Sequence, residues 1–240
     1  MLPSFFVIVS ALIVFAMPLI MIVALFQKRS WRQAIKQQAK QRLKDSGGWT
    51  KFSLLFAVVV LIGILFNALL GQLRLGWMFN LLLQLIYIGF VSYGLIQVVM
   101  RIKRQQDFEL KDFFDSSELT RVMTLTFIQQ IYLFLWSLLV IPGIIKRYSY
   151  SQTYFLLYED PQLSTDDVIS QSRDMMNGHK WELFILDASF MGWAILAVLT
   201  VGILGFYIAP LYFMARLGFY EYVKTGYIQS AKHRNVYNIY

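Results

Sequence analysis

The 240-residue sequence contains no cysteine and only two histidines. The lack of cysteine excludes disulfide bonds and metal sites built from thiolates. His179 and His233 lie in polar flanks and have no partner at metal-ligand spacing, so we interpret both as surface or interfacial side chains. No metal site and no cofactor is expected.

Charged residues are also scarce. They make up 15% of the chain, whereas a soluble domain carries about 25%. Hydrophobic residues make up 58%, so we interpret the chain as an integral membrane protein. The formal net charge is +8. Because the basic residues alternate with apolar segments, this charge indicates contact with anionic lipid headgroups at the cytoplasmic face rather than nucleic-acid binding.

Catalytic signatures are missing as well. The sequence has no P-loop, no Rossmann glycine pattern, no HExxH and no GxSxG. Serines and carboxylates are present, but none is matched with a positioned histidine inside an apolar segment. We therefore expect a protein that is not an enzyme.

The apolar segments predict an all-α, polytopic transmembrane helix bundle of about six to seven spans, each of about 20 residues. Lys28, Arg29 and Arg32 directly follow the first apolar segment, which orients its N-terminus outside. The predicted organisation is an N-terminal transmembrane helix (1–27), a basic amphipathic cytoplasmic segment (28–51), a helical membrane domain (52–223) and a polar tail (224–240). The spans expected within the domain are 52–70, 77–100, 125–141, 181–202 and 205–223, with 144–158 as a further candidate.

Two segments have the pattern of amphipathic helices. Residues 31–44 are basic around an apolar stripe, and we interpret them as a helix in the inner headgroup region, with a solvated linker helix as the alternative. Residues 164–176 begin with Ser164 as a cap, with Asp167 three residues later. Their stripe is interpreted as membrane-facing or packing surface: Val168, Ile169, Ser172, Met175 and Met176.

Pro142 and Gly143 interrupt an apolar region that otherwise reads as one long helix. In one alternative the helix kinks there and continues outward. In the other the chain turns near the outer face, and residues 144–158 return to the cytoplasm. Charge placement favours the second alternative, because it keeps the later basic residues inside: Arg173, Lys180, Lys224, Lys232 and Arg234.

Charges within apolar segments are the remaining functional signal, because such groups usually face a bundle interior or a cavity. We expect Asp187 and Arg216 to form an ion pair. The former lies about 9 Å into its helix and the latter about 12 Å in from the same face, at 1.5 Å per residue. The full set of candidates is Lys146, Arg147, Glu182, Asp187, Arg216 and Glu221.

Several motifs occur in order along the second half of the chain. They are residues 141–151, Glu159-Asp160-Pro161, Ser170 and Ser172 with Met175-Met176, Gly178-His179-Lys180-Trp181, residues 186–193, and Phe219-Tyr220-Glu221. Together they resemble a bacterial integral membrane family of Firmicutes, domain of unknown function 975, and the basic stretch 34–49 resembles the start of that family.

The resemblance covers about residues 31–223; the segment before Trp31 departs from it, since members usually begin near the basic helix. The membrane domain attached to some glycerophosphodiester phosphodiesterases is more loosely similar, and it is not their catalytic part. The resemblance implies a fold and a location in the bacterial cytoplasmic membrane, but no reaction.

Two functions are compatible with these observations. The first is a non-enzymatic envelope scaffold or accessory protein, whose partners are membrane lipids together with an envelope protein or a second copy of the chain. The second is a small transporter, exporter or lipid-handling channel that uses the helix break at Pro142 and Gly143, with Lys146 and Arg147 behind it. A water-filled cavity that reaches these two cations favours transport, whereas a packed and dry core favours the scaffold.

Overall fold

The computed structural model describes residues 29–72, 77–113, 118–137 and 139–237. Within these ranges every regular element is an α-helix. The predicted N-terminal span lies outside the described residues. The helices are α1 (Arg29–Asp45), α2 (Gly48–Gln72), α3 (Trp77–Lys103), α4 (Leu110–Phe113), α5 (Leu119–Ser137), α6 (Val140–Ser149), α7 (Thr153–Glu159), α8 (Thr165–Met175), α9 (Lys180–Leu199) and α10 (Ile203–Tyr237).

Four segments in the described part of the chain are helical, long and apolar enough to cross a membrane. They agree with four of the predicted spans and so support the prediction of a membrane protein. The predicted all-helical fold is confirmed for the described residues, and the number of six to seven spans stays a prediction. The segments are Gly48–Gln72, Leu83–Lys103, Lys180–Leu199 and Ile203–Tyr227.

The segment predicted as one span at 125–141 is instead shared by two helices. Helix α5 ends at Ser137 and α6 begins at Val140, so Pro142 and Gly143 are helical residues in the first turn of α6. The first backbone N–H groups of a helix have no intrahelical partner, and proline is tolerated there because it has no N–H to lose. The helix boundary therefore precedes the proline rather than coinciding with it.

Beyond this boundary the chain reverses direction. Residues successively later in α6 and α7 contact residues successively earlier in α5, as expected for antiparallel neighbours. This reversal is compatible with the second sequence alternative, whose return to the cytoplasm stays a prediction. We call the pair the α5–α6 hairpin. The successive contacts are Lys146 Nζ at 4.5 Å from the Trp136 ring centroid, Tyr150 at 6.4 Å from Tyr132 between centroids, and Thr153 Oγ1 donating to Gln129 Oε1 at 2.8 Å.

Helix α8 packs against the junction between α6 and α7 and forms hydrogen bonds with its backbone. Ser164 caps it, accepting a hydrogen bond from the Asp167 N–H at 3.2 Å, as the sequence predicts. The predicted stripe is buried against the bundle, so it is a packing surface. From this stripe, Ser172 Oγ donates to the Ser149 carbonyl at 2.9 Å and accepts from the Gln152 N–H at 3.3 Å. Both backbone groups lie where α6 ends and would otherwise be buried without partners.

The predicted basic amphipathic helix is present as α1, which packs on α10. Ile35, Ala39 and Leu43 are buried, and Trp31 contacts Phe219 and Tyr222 with ring centroids 6.2 Å apart in each case. The apolar stripe of α1 therefore faces protein.

Close helix approaches in the centre of the bundle depend on glycine. A Cβ on Gly94 of α3 would meet the Phe113 ring at 2.7 Å, so a larger residue would displace that ring. Residues 93–100 of α3 are all buried, whereas residues 191–199 of α9 are exposed except for Ala197. Packing within the protein is thus concentrated at one end of the bundle, where α1, α7, α8 and the end of α3 meet.

Candidate functional site

The ion pair expected between α9 and α10 is present. Arg216 Nη1 donates to Asp187 Oδ2 at 3.0 Å and to Oδ1 at 3.2 Å. The hydroxyl of Tyr212 donates to Asp187 Oδ1 at 3.2 Å and accepts from Arg216 at 3.0 Å. The two charged side chains are only 22% and 20% exposed. Each charge thus has an opposite charge and a hydroxyl as neighbours, which offsets much of its desolvation.

A tight turn brings these side chains to the same depth. The turn between α9 and α10 uses Val201 (φ 52°) and Gly202 (φ 87°) in the left-handed region, and the Gly202 N–H donates to the Ala197 carbonyl at 2.7 Å. The two helices then run antiparallel, with the Phe190 and Tyr212 ring centroids 5.4 Å apart. We call this pair the α9–α10 hairpin.

Arg216 also borders a large open cavity, most of whose lining comes from α3, α5, α6 and the α6–α7 junction. Apolar side chains make up more than half of the lining, and we call it the polar cavity after the cationic, amide and hydroxyl groups that it also contains. The cavity has a volume of about 710 Å³ and is bordered by residues of α3, α5, α6, α7 and α10. Its polar lining consists of Ser92, Gln129, Gln130, Arg147, Tyr150, Ser151, Tyr154 and Arg216.

The cavity has a positive lining. Arg147 and Arg216 contribute two guanidinium groups, and no carboxylate is among the lining residues. Arg216 is neutralised by Asp187 behind the wall, whereas no carboxylate of the described residues lies within ion-pairing distance of Arg147. Arg147 therefore faces the cavity without an ion-pair contact in the described residues, with amide and hydroxyl groups around it. Asp187 lies close enough to attract it at longer range.

The other predicted charges lie elsewhere. Lys146 is turned toward Trp136 and does not border the cavity. Glu182 contacts His179, with Oε2 and Nδ1 2.7 Å apart. The remaining candidate, Glu221, belongs to a charge cluster at the end of the bundle.

Sequence reasoning missed this cluster, which we call the basal network: Arg42, Lys103, Glu159, Tyr220, Glu221 and Lys224. Its members come from α1, α3, α7 and α10 and are up to 179 positions apart, so no local spacing could have revealed it. Arg42 Nη1 lies 2.8 Å from Glu221 Oε2, and Lys103 Nζ lies 3.1 Å from Glu221 Oε1 and 3.5 Å from Glu159 Oε1. Lys224 and the Tyr220 hydroxyl both donate to Glu159 Oε2.

Glu159 ties the two hairpins together, because α7 continues the first and α10 belongs to the second. Burial alone would raise the pKa of its carboxyl group. The hydrogen bonds from Lys224 and Tyr220, with the positive charges of Lys224 and Lys103, outweigh burial and hold that pKa below its usual range. The Glu159 carboxylate is therefore ionised at neutral pH.

No group of three histidine, aspartate or glutamate side chains in the described ranges could hold a metal ion. The cavity lining contains guanidinium, amide and hydroxyl groups, which are kinds of group that can bind an anion.

Residues 138–226 match the family described as Protein of unknown function (DUF975). This match confirms the resemblance to domain of unknown function 975 over the part of the chain that contains α6 to α9, most of α10 and the Asp187–Arg216 pair. The looser similarity to the phosphodiesterase membrane domain stays a prediction. No curated protein and no solved structure matches the chain.

Proposed function

We propose that this protein is a lipid-handling membrane protein, which binds an anionic amphiphile by its headgroup in the polar cavity and presents or moves it within the membrane. The observation that carries the proposal is Arg147, a cation without a carboxylate partner in the described residues that borders a cavity of about 710 Å³. This is the second of the two functions considered from the sequence, and the cavity is the feature that favours it over a scaffold.

The chemistry of the cavity fits a phosphate-containing headgroup. Ligand cavities commonly measure about 300–1,000 Å³. A guanidinium group binds phosphate in bidentate geometry, and amide and hydroxyl groups can satisfy the remaining oxygens. A charged side chain at membrane depth costs roughly 2.5–3.5 kcal/mol, so an anion beside Arg147 would offset a cost that the protein otherwise carries alone.

The proposed location is the bacterial cytoplasmic membrane, crossed several times. The helix break is the boundary before Pro142, and it turns the chain at the outer face. Counting the N-terminal segment, both arms of the α5–α6 hairpin and the four membrane-length helices gives seven spans, with α1, α8, the basal network and the tail in the cytoplasm. The basic residues at that end support this orientation.

Single cysteines test the orientation cleanly, because the natural chain has none. A cysteine at Gln171 or at Ser230 should react with a membrane-permeant maleimide but not with an impermeant one added to intact cells. Labelling of both positions by the impermeant reagent would contradict the proposed orientation.

The headgroup site is tested with Arg147→Gln, and with Arg173→Gln as the matched control. Arg173 is exposed on α8 and does not border the cavity, so the same charge is removed elsewhere. After purification in mild detergent, lipids retained per protein are counted by native mass spectrometry. We expect Arg147→Gln to retain one anionic lipid fewer per protein than the natural protein and the control do. Equal retention in all three would overturn the proposal, and a stoichiometric protein partner without lipid would favour the scaffold.

A further inference from the structure

A second cation lies apart from the polar cavity, at the edge of an apolar groove. Lys36 of α1 donates from Nζ to the Ser189 carbonyl at 3.2 Å, and the same atom lies 4.1 Å from the centroid of the Phe190 ring. No carboxylate in the described part of the chain is within ion-pairing distance of Lys36. Its side chain is half-buried, so the ammonium group is partly removed from solvent without an opposite charge.

Phe190 connects this cation to the groove, which has a volume of about 520 Å³. The groove is bordered by one stripe of α9 and one stripe of α10, with Phe56 of α2 at the side. The α9 stripe extends from Asp187 to Ala197, which is about 15 Å at 1.5 Å per residue. Most of the border is alanine, glycine, aliphatic and aromatic side chains, so the groove offers a hydrocarbon chain a path along the hairpin. At its far end the helices approach closely, since a Cβ on Gly205 would lie 3.9 Å from the Ala197 Cβ.

The groove has two polar residues, Asp187 and Tyr212, and both are already engaged with Arg216. The carboxylate is thereby neutralised and does not repel an anion at the Lys36 end. Arg32, one turn before Lys36 on α1, is buried and lies close enough to act on Lys36 electrostatically. Burial and then Arg32 lower the pKa of Lys36 to about 8, which still leaves the ammonium form dominant at pH 7.

We propose that Lys36 and this groove form a binding site for an anionic phospholipid, with the phosphate on the Lys36 ammonium group and an acyl chain along α9 and α10. The site uses different residues from the polar cavity, so it can be present or absent whatever the cavity binds. The partly buried Lys36 ammonium group, which has no carboxylate partner in the described residues, suits the phosphate of such a lipid. The apolar groove beside it suits the acyl chain. A positively charged surface alone would match only the headgroup, and would attract it at about 1 kcal/mol per exposed cation.

The test compares two lysines of the same helix. Lys36→Gln and Lys40→Gln remove one charge each from α1, and Lys40 is exposed. The proteins are placed in nanodiscs of phosphatidylcholine with or without phosphatidylglycerol, and bound phosphatidylglycerol is counted by native mass spectrometry after release. We expect Lys36→Gln to weaken apparent affinity for phosphatidylglycerol about tenfold or more, and Lys40→Gln to change it less than about threefold. Equal losses in the two variants would mean general surface attraction and would overturn the proposal.

A third variant tests the chain end without touching charge. Ala197→Leu fills the groove where the two helices are closest, far from the Lys36 headgroup position. We expect it to reduce phosphatidylglycerol retention while the protein elutes as a folded species, and Lys36→Arg to preserve retention. Full retention in Ala197→Leu would overturn the acyl-chain assignment. Loss of lipid only in Arg147→Gln would mean that the cavity holds the lipid and this groove does not.

Discussion

Each of the two antiparallel hairpins carries an arginine, but the surroundings of the two arginines differ. In the α9–α10 hairpin, Arg216 is bonded to Asp187 and Tyr212. In the α5–α6 hairpin, Arg147 has no carboxylate partner in the described residues, and faces the same cavity as Arg216. Both helix pairs are joined through the basal network at Glu159.

This difference indicates that Arg216 has a structural role, whereas Arg147 is placed to bind a ligand. A paired arginine donates its hydrogen bonds to other groups of the protein, so its removal is expected to reduce the stability of the fold. An arginine without an anion is available to a ligand, and its removal is expected to affect binding more than folding.

The largest expected effect comes from breaking the ion pair. Asp187→Ala leaves Arg216 without its opposite charge in the bundle, and Arg216→Ala leaves Asp187 stranded in the same way. Each change should cost about 3–5 kcal/mol of stability. The measurement is thermal unfolding in detergent, and the double variant should lose less than the sum of the single losses.

Glu182→Ala is the matched control on the same helix. Glu182 and His179 form a contact in which each side chain is 33% exposed, and such surface pairs contribute about 0–1 kcal/mol. Strictly additive losses at Asp187 and Arg216, or losses no larger than that of the control, would contradict a structural role for the pair.

The second expected effect comes from giving Arg147 the partner that it lacks. Ile144 lies three positions earlier on α6 and borders the cavity, so Ile144→Glu places a carboxylate at i, i+3 spacing to Arg147. This change should weaken retention of anionic lipid about tenfold, or about 1.4 kcal/mol, while leaving the protein folded.

Ile144→Gln is its control, with similar size and no charge. Retention should fall clearly less in Ile144→Gln than in Ile144→Glu. If both variants retain lipid equally, the charge of Arg147 does not decide what the cavity holds.

The positions of the ion pair and of the Ser164 cap could be predicted from local patterns in the sequence. The cavity and the basal network could not, because they depend on contacts between distant residues. The depths of Asp187 and Arg216 followed from helix rise and a short turn, and the Ser164 cap followed from i, i+3 spacing. The helix boundary was misplaced because the ring of Pro142 fits inside the first turn of a new helix. The cavity and the contact of Glu159 with Lys224, 65 positions apart, depend on how the hairpins pack, which no periodicity encodes.

A third effect, on stability rather than on lipid retention, is expected where the hairpins meet. The lowered pKa of Glu159 means that its contribution to stability is fully present above its ordinary value of about 4.5 and is lost as pH falls through the lowered value. Glu159→Gln should cost about 1.5–3 kcal/mol at pH 7, the range for hydrogen bonds to charged groups. The difference between variant and natural protein should shrink on acidification toward pH 3.

The control for Glu159 is Asp160→Asn, which neutralises an exposed neighbour outside the network. Thermal unfolding is measured for both variants between about pH 7 and pH 3. A constant difference between Glu159→Gln and the natural protein across that range would show that ionisation of Glu159 does not stabilise the junction.

The smallest effect is expected at Lys146, the neighbour of Arg147 in sequence. Its ammonium group lies 4.5 Å from the Trp136 ring centroid, so it is held by a cation–π contact and does not border the cavity. Lys146→Gln should cost about 0.5–1 kcal/mol of stability, Lys146→Arg should cost less, and lipid retention should stay unchanged in both. A double-mutant cycle with Trp136→Leu should return a coupling of the same size. A loss of lipid in Lys146→Gln as large as that in Arg147→Gln would place both cations in the headgroup site, and the α5–α6 hairpin would then hold its ligand with two charges instead of one.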